Sequence, residues 1–337
     1  MRNKSIDFTR LWGAILVVAI HTSPLLEINS DWSFFITQGI ARIAVPFFFA
    51  VSGYYTCKRL SEGKTAWRSV WNILKIYIFV SMVYFCVEFA HTVRETGISI
   101  KVIGSMFLRD TYLFFCAGSY FHLWYFPALL YAMITVCLLF QWKCQKLILP
   151  LAGVLYIIGA VCVSYPTLTA YFPFLSFLFR SEEFFAVFSR IVLRGFPLFS
   201  SGLLIYSLQK WLSKKQIAGF LAFSAVLWLA EYGFMRCFWQ KNSMLQPISL
   251  YPLILFLMLF LLQHPAASFP AGGYCKTTAS FMYYFHPLGI LFVQRFTERP
   301  TIVFAAVTEI FLLVGCVVYA VDIWIKKHFP KKKKVSN

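Results

Sequence analysis

Long runs of apolar residues, separated by short polar or charged segments, fill almost the whole chain. Most runs are about 20 residues long, the length that an α-helix needs to cross the hydrocarbon core of a bilayer. The pattern predicts ten spans, at residues 8–27, 33–56, 67–91, 119–141, 146–165, 190–209, 216–237, 247–263, 277–296 and 301–325. We therefore predict an all-α integral membrane protein, a bundle of about ten transmembrane helices.

The basic residues predict the orientation of these spans. An even number of spans puts both termini on one side, and Lys and Arg concentrate on the cytoplasmic side of membrane proteins. With the termini inside, the cytoplasmic segments hold about 19 of the 31 Lys and Arg residues. We predict a multi-pass protein of the cell membrane with both termini cytoplasmic. Residues 1–326 form its membrane domain, and residues 327–337 form a polybasic tail against the anionic inner leaflet.

Composition narrows the class further. The chain is 60% hydrophobic and only 13% charged, unlike a soluble domain. The net charge of +18 follows from the cytoplasmic lysines and arginines, so we expect a lipid bilayer as partner and no nucleic acid. The nine cysteines include no CxxC pair and favour buried thiols, and we expect no metal. Two outer connections, residues 92–118 and 166–189, are longer than turns require, and the second favours an interfacial segment.

Four ionisable residues fall deep inside predicted spans, where such groups are costly and mark functional sites. His21 follows Arg10 by eleven residues, about 16 Å along a helix, which places it near the membrane midplane. Arg42 and His286 fall at a similar depth on spans 2 and 9, and Glu309 does so on span 10. We predict that the four groups share one polar pocket.

Arg10 and His21 project from one face of span 1, since eleven residues at about 100° each complete three turns with little remainder. A fixed cation at the cytoplasmic mouth suits an anionic substrate such as a nucleotide phosphate. A histidine suits removal of a proton from an attacking hydroxyl. The alternatives are that Arg10 is a positive-inside anchor and that His21 fills a packing defect.

Three further residues have competing interpretations. Lys75, about 12 Å into span 3, extends to the interface or binds phosphate beside Arg10. His122 lies among Trp and Tyr residues near the outer end of span 4, which indicates an interfacial position or acceptor binding. Ser52 precedes Gly53, and this pair permits close helix approach; as a nucleophile Ser52 is disfavoured.

Four stretches carry a family resemblance. They are Arg10-x10-His21 after "IDFTR", "ARIAVPFFFAVSGYY", "YFHLWYFPALL" and "FMYYFHP". Together they resemble the membrane acyltransferase 3 family over nearly the whole chain. Within that family the likeness is to the membrane half of the vancomycin-resistance serine/alanine racemases. In those proteins a cytoplasmic pyridoxal-phosphate racemase domain follows, and we expect that domain to be absent here or cut away.

The resemblance implies transfer of a short acyl group, such as acetyl, from cytoplasmic acyl-CoA to a hydroxyl of an envelope carbohydrate or similar acceptor. His21 would act as general base or carry the acyl group, and Arg10 with Lys75 would hold the phosphates of acyl-CoA. Pro46 would break its helix beside the pocket. The residues expected to line the acceptor site are Arg42, Ser52, His122, His286 and Glu309.

The racemase subgroup implies a second function, uptake or binding of L-serine. Arg42 would then bind the carboxylate and Glu309 the ammonium group. The neighbouring partner would be a separate racemase in this case and a glycan-synthesis enzyme in the case of acylation. A third possibility is a structural anchor for a partner domain.

Overall fold

All regular secondary structure in the computed structural model is helical over the residues that it describes, 3–97, 99–165, 182–239, 246–265 and 272–328. This confirms the all-α prediction for those residues. The helices in these ranges are α1 (Lys4–Thr22), α2 (Ser30–Ser61), α3 (Trp67–Thr96), α4 (Ile100–Cys116), α5 (Tyr125–Gln141), α6 (Gln145–Ser164), α7 (Phe185–Leu208), α8 (Lys214–Trp239), α9 (Leu250–Gln263), α10 (Gly272–Val293) and α11 (Pro300–His328).

A helix overlaps each of the ten predicted spans. Six helices of the described chain, α2, α3, α6, α7, α8 and α11, are long and apolar enough to cross a membrane by length and composition. Helices α5 and α9 are apolar but shorter. The protein is therefore a multi-pass membrane protein, while the number ten and the cytoplasmic termini stay predictions. Most of the polybasic tail, residues 329–337, lies outside the described residues.

The connection predicted at residues 92–118 is wrong in one respect, because most of it forms α4. Apolar side chains such as Ile103, Met106 and Phe107 recur at helical spacing along this segment. Tyr77 of α3 holds the end of α4 by donating its hydroxyl to the Phe114 carbonyl at 2.7 Å. The other long connection lies outside the described residues up to position 181, and a helix begins at Glu182.

Helix α1 ends five residues before the predicted end of span 1. Ser23 takes a left-handed conformation with φ of 49°, and its N–H bonds to the Ala19 carbonyl. Pro24 explains this stop, because a residue that precedes proline is disfavoured in the α conformation. At the other end, the Asn3 side chain accepts hydrogen bonds from the N–H groups of Ser5 and Ile6 and caps the helix. His21 therefore lies in the last turn of α1 and not in the middle of a longer helix.

The chain divides into two compact units, Met1–Phe48 with Leu261–Asn337 and Phe49–Phe260. In the first unit, α10 packs along both α1 and α11. Its core combines apolar stripes from the three helices, with every third or fourth residue buried. The members are Leu11, Ala14 and Val18 of α1, Cys275, Ala279, Met282, Ile290 and Val293 of α10, and Val303, Val307 and Phe311 of α11.

In the second unit, α2 and α7 approach each other at two glycines. A Cβ atom built on Gly53 would collide with the Phe199 carbonyl, and one built on Gly202 would collide with the backbone of Gly53 and Tyr54. Two backbones meet this closely only where neither residue carries a side chain. The sequence interpretation of Ser52-Gly53 as a point of close helix approach agrees with this geometry.

We predict that Gly202→Ala destabilises the protein by about 1–3 kcal/mol, because the added methyl group must push α2 and α7 apart. Gly219→Ala on α8 is the matched control, since no atom lies within 4 Å of its added Cβ. That control should be neutral or stabilising by up to about 1 kcal/mol, the helix preference of Ala over Gly. Thermal unfolding of both purified variants in detergent measures the difference, and equal melting temperatures would contradict the close approach.

Candidate functional site

Two histidines from separate helices form a stacked pair in the first unit. The rings of His21 on α1 and His286 on α10 have centroids 5.2 Å apart and an interplanar angle of 25°. Each histidine lies on the same helix face as a core residue, since Val18 precedes His21 by three residues and Met282 precedes His286 by four. His286 is completely buried, whereas His21 is exposed. The buried ring therefore supports one face of an accessible imidazole.

Pro287 explains how His286 is held. A proline has no N–H for the carbonyl four residues before it, which here belongs to Tyr283. The Nδ1 atom of His286 lies 3.0 Å from that Tyr283 oxygen and 3.2 Å from the Met282 oxygen. A carbonyl only accepts hydrogen bonds, so Nδ1 is the donor and carries the proton. In the neutral ring Nε2 then holds the lone pair, which fixes the tautomer of His286.

Arg42 also lies in the first unit, in an irregular part of α2. The helix forms a π segment over Phe35–Gly39 and a 3-10 segment over Ile40–Ile43. The Nε and Nη2 atoms of Arg42 donate to Gln38 Oε1 at 3.1 and 2.6 Å. Arg42, His21 and His286 all belong to the first unit, so a cation and the histidine pair lie within one compact unit.

Pro46 does not end α2, since the α-helix continues past it to Ser61, but the regular α-helical pattern is interrupted over the two segments that precede Ala44. Pro46 leaves the carbonyl of Arg42, four residues earlier, without its usual helical partner. The backbone irregularity lies at and before Arg42, where the proline ring would otherwise crowd that carbonyl. Pro46 thus accounts for the local geometry of Arg42.

Arg10 lies about three turns before His21 on α1 and has an acidic partner. Its Nη1 atom is 3.6 Å from Oδ1 of Asp7, whose side chain is only 4% exposed, against 25% for Arg10. Asp7 was not among the residues predicted from the sequence, although the spacing of three residues in "IDFTR" is the signal for such a pair on a helix. The pair restrains the guanidinium and leaves part of it accessible.

The structure does not place Glu309 with the other three groups, so its expected place in the shared pocket is wrong. Glu309 is exposed on α11, about half a turn away from the buried residues Val307 and Phe311. That buried face is the one that packs against α10. The Glu309 carboxylate therefore points away from the helix that carries His286. Lys75 is exposed on α3 in the second unit.

Ser52 and His122 also lie in the second unit. The Ser52 hydroxyl is 3.4 Å from the Tyr125 hydroxyl at the start of α5. His122 is only 2% exposed, and its ring contacts those of Tyr84 and Tyr120 at centroid distances of 5.0 and 5.7 Å. The interfacial interpretation of His122 and its acceptor-binding interpretation both stay predictions.

A buried arginine, Arg194 of α7, was also not among the residues predicted from the sequence. It is 8% exposed, and its guanidinium lies 5.6 Å from the centre of the Trp124 ring. An ionisable group within an apolar span marks a candidate site. Arg194 meets this criterion as Arg42 does, so the sequence already contained the signal.

We predict that the two stacked histidines differ in chemical reactivity. Diethyl pyrocarbonate at neutral pH should modify His21 at least about 10-fold faster than His286, because a buried ring reacts only after local opening. Peptide mass spectrometry of briefly treated protein measures both rates. His91, which is exposed, is the positive control, and buried His122 should resemble His286. Equal modification of His21 and His286 would contradict the arrangement.

The chain matches one domain family and several individual relatives. The acyltransferase domain model matches residues 3–321. An amino-acid racemase of Enterococcus faecalis is 28% identical over 325 residues, which cover 94% of this chain and 45% of that protein. A serine/alanine racemase of Enterococcus gallinarum is 32% identical over 165 residues, 47% of this chain and 23% of that protein. The chain thus spans less than half the length of these relatives, and no solved structure matches it. By the extent of the domain match, the protein belongs to the acyltransferase 3 family of membrane proteins.

Proposed function

We propose that the protein transfers a short acyl group from acyl-CoA to a hydroxyl of an envelope carbohydrate or a similar acceptor. The observation that carries this proposal is the accessible His21, supported by the tautomer-locked His286 and accompanied by Arg42, in a member of an acyltransferase family. A base, a fixed partner for it and a cation near the reacting atoms are the groups that acyl transfer requires.

His21 would start the reaction as general base. The acceptor hydroxyl attacks the thioester carbonyl while its proton passes to the His21 ring. The negative charge that develops on the carbonyl oxygen would be stabilised by the Arg42 guanidinium. When the carbon–sulfur bond breaks, the proton returns from His21 to the thiolate of coenzyme A. An acyl group carried on His21 is the variant of this route in which the ring attacks first.

Arg10 would hold the donor. It lies about 16 Å along α1 from His21, which separates the phosphate end of coenzyme A from its reacting thioester. The ion pair with Asp7 would orient the guanidinium, and the accessible part of the side chain would contact phosphate oxygens. The role of Lys75 stays a prediction from the sequence, and no contact with the donor is assigned to it.

We predict that His21→Ala lowers the acyl-transfer rate by about 10²–10⁴-fold and leaves coenzyme A affinity nearly unchanged, because the ring would touch only the reacting end. Arg10→Ala should weaken coenzyme A binding by about 1.5–3 kcal/mol, the value of one charge-assisted contact. Arg10→Lys should recover part of that loss, since the charge remains and the planar fork does not. Calorimetry with coenzyme A and a transfer assay with labelled acetyl-CoA measure both effects.

His91→Ala is the matched control, because it removes an exposed histidine at the end of α3. It should change neither rate nor affinity. Absence of coenzyme A binding by the wild-type protein would overturn the acyltransferase proposal. Equal losses of coenzyme A affinity in His21→Ala and Arg10→Ala would contradict the assignment of donor binding to Arg10 and of proton transfer to His21.

A second candidate function is binding or uptake of a small amino acid such as L-serine. It is favoured by the relatives named as amino-acid and serine/alanine racemases, which this chain matches over 94% and 47% of its length. Arg42 could bind the carboxylate, but the outward position of Glu309 removes the expected ammonium partner. A neighbouring racemase would be the partner under this function, and a glycan-synthesis enzyme under acyl transfer.

Uptake of labelled L-serine into proteoliposomes separates the two functions. Under acyl transfer, we expect uptake no faster than into empty liposomes. The amino-acid function would replace acyl transfer if the wild-type protein takes up L-serine and binds no coenzyme A. Uptake should then be lost in Arg42→Gln.

A further inference from the structure

The second unit contains a pair of arginines in an unusual stretch of helix. Residues Ser189–Gly195 of α7 form a π-helix, with Arg190 and Arg194 four positions apart. A π-helix adds about one residue to each turn, so that positions four apart lie close to one face. Such stretches are rare and occur frequently at functional sites. Neither arginine has a role in the acyl-transfer route.

Arg194 is held rigidly by its neighbours. Its guanidinium lies over the Trp124 ring, and its Nε atom is 3.4 Å from Gln246 Oε1. The Gln246 side chain is itself 1% exposed and donates from Nε2 to the carbonyls of Leu193 at 2.9 Å and Tyr156 at 3.3 Å. These two bonds fix the amide orientation, so its oxygen faces Arg194. The guanidinium therefore has a set position.

The Leu193 carbonyl shows why this geometry arises. Pro197 lies four residues later and has no N–H to donate to it. Gln246 supplies the missing donor from a different segment of the chain. Pro197 thus leaves a carbonyl of the π segment to which Gln246 bonds. Gln246, held by this bond, in turn positions Arg194.

Arg190 lies four residues before Arg194 on α7. Its side chain is half-buried, and no carboxylate whose side chain the structure describes forms an ion pair with it. A cation within an apolar helix is costly unless an anion or a polar cavity compensates it. The position next to a fixed guanidinium therefore favours an anionic ligand that both arginines can reach.

We propose that Arg190 and Arg194 form a binding subsite for the carboxylate of a small substrate. The planar guanidinium matches the two oxygens of a carboxylate in a forked arrangement. A carboxylate carries one charge and costs less to desolvate than a phosphate dianion, which suits the buried position of Arg194. The subsite lies in the second unit, and it rests on the second candidate function, the binding of a small amino acid such as L-serine.

The experiment compares L-serine with L-serinamide, which lacks the carboxylate, by calorimetry on the full chain in lipid nanodiscs. Wild-type protein should bind L-serine at least about 10-fold more tightly than L-serinamide. Arg190→Gln should reduce L-serine affinity to the serinamide level, and Arg190→Lys should give an intermediate value. Arg94→Gln is the matched control, because it removes an exposed arginine at the end of α3 and should leave the affinity unchanged.

Three results would overturn the subsite: no L-serine binding by wild-type protein, equal affinity for the two probes, or wild-type affinity in Arg190→Gln. Displacement of L-serine by inorganic phosphate at equal concentration would also overturn it, in favour of a phosphate site. Melting temperatures confirm that each variant is folded. Coenzyme A affinity, measured on the same samples, tests the acyltransferase proposal separately, since that proposal assigns donor binding to Arg10.

Discussion

The backbone of this protein is constrained by the need to pair every N–H and C=O group in apolar surroundings. Within a helix each carbonyl pairs with the N–H four residues later, and a proline at that position breaks the pairing because it has no N–H. Pro287 leaves the Tyr283 carbonyl open, and His286 donates to it. Pro197 leaves the Leu193 carbonyl open, and Gln246 donates to it. Polar side chains are thus held where the helices lose a backbone bond.

The same constraint connects structure to chemistry. A histidine that donates through Nδ1 to a carbonyl keeps one tautomer, and in its neutral form presents a lone pair on the other nitrogen. An arginine whose neighbours are themselves fixed by carbonyl contacts has little freedom to move away from a ligand. The first unit therefore holds a histidine pair and a half-buried arginine, and such groups suit proton transfer. The second unit offers two arginines in a π segment, which suits recognition of an anion.

The relatives allow both activities to be considered in one protein. The domain family points to acyl transfer, and the relatives named as racemases act on amino acids according to those names. An acceptor with a hydroxyl and a carboxylate would satisfy both indications. The units carry separate candidate sites, so the donor and the carboxylate can be studied by independent substitutions. A result for the candidate site in one unit does not decide the function of the candidate site in the other unit.

The sequence by itself determined the helical class, the family and most helix positions, because long apolar runs and local motifs require only neighbouring residues. It also placed Arg10 and His21 on one face of α1. It misplaced the end of α1 by giving the apolar run more weight than Pro24, and it treated α4 as a connection. It missed Asp7 and Arg194, whose spacing and apolar surroundings were already visible.

The tertiary structure alone decided which polar groups meet. Helix α11 is apolar on all sides, with a mean hydropathy of 2.4 in its most apolar window, so its sequence has no clear polar face that would orient Glu309. Packing of Val307 and Phe311 into the core of the first unit turned Glu309 outward. The stacking of His21 on His286, and the bond from Gln246 to Leu193, each join residues from distant parts of the chain. Hydrophobic pattern reports whether a helix suits an apolar environment, but the rotation of each helix about its axis depends on the neighbours against which it packs.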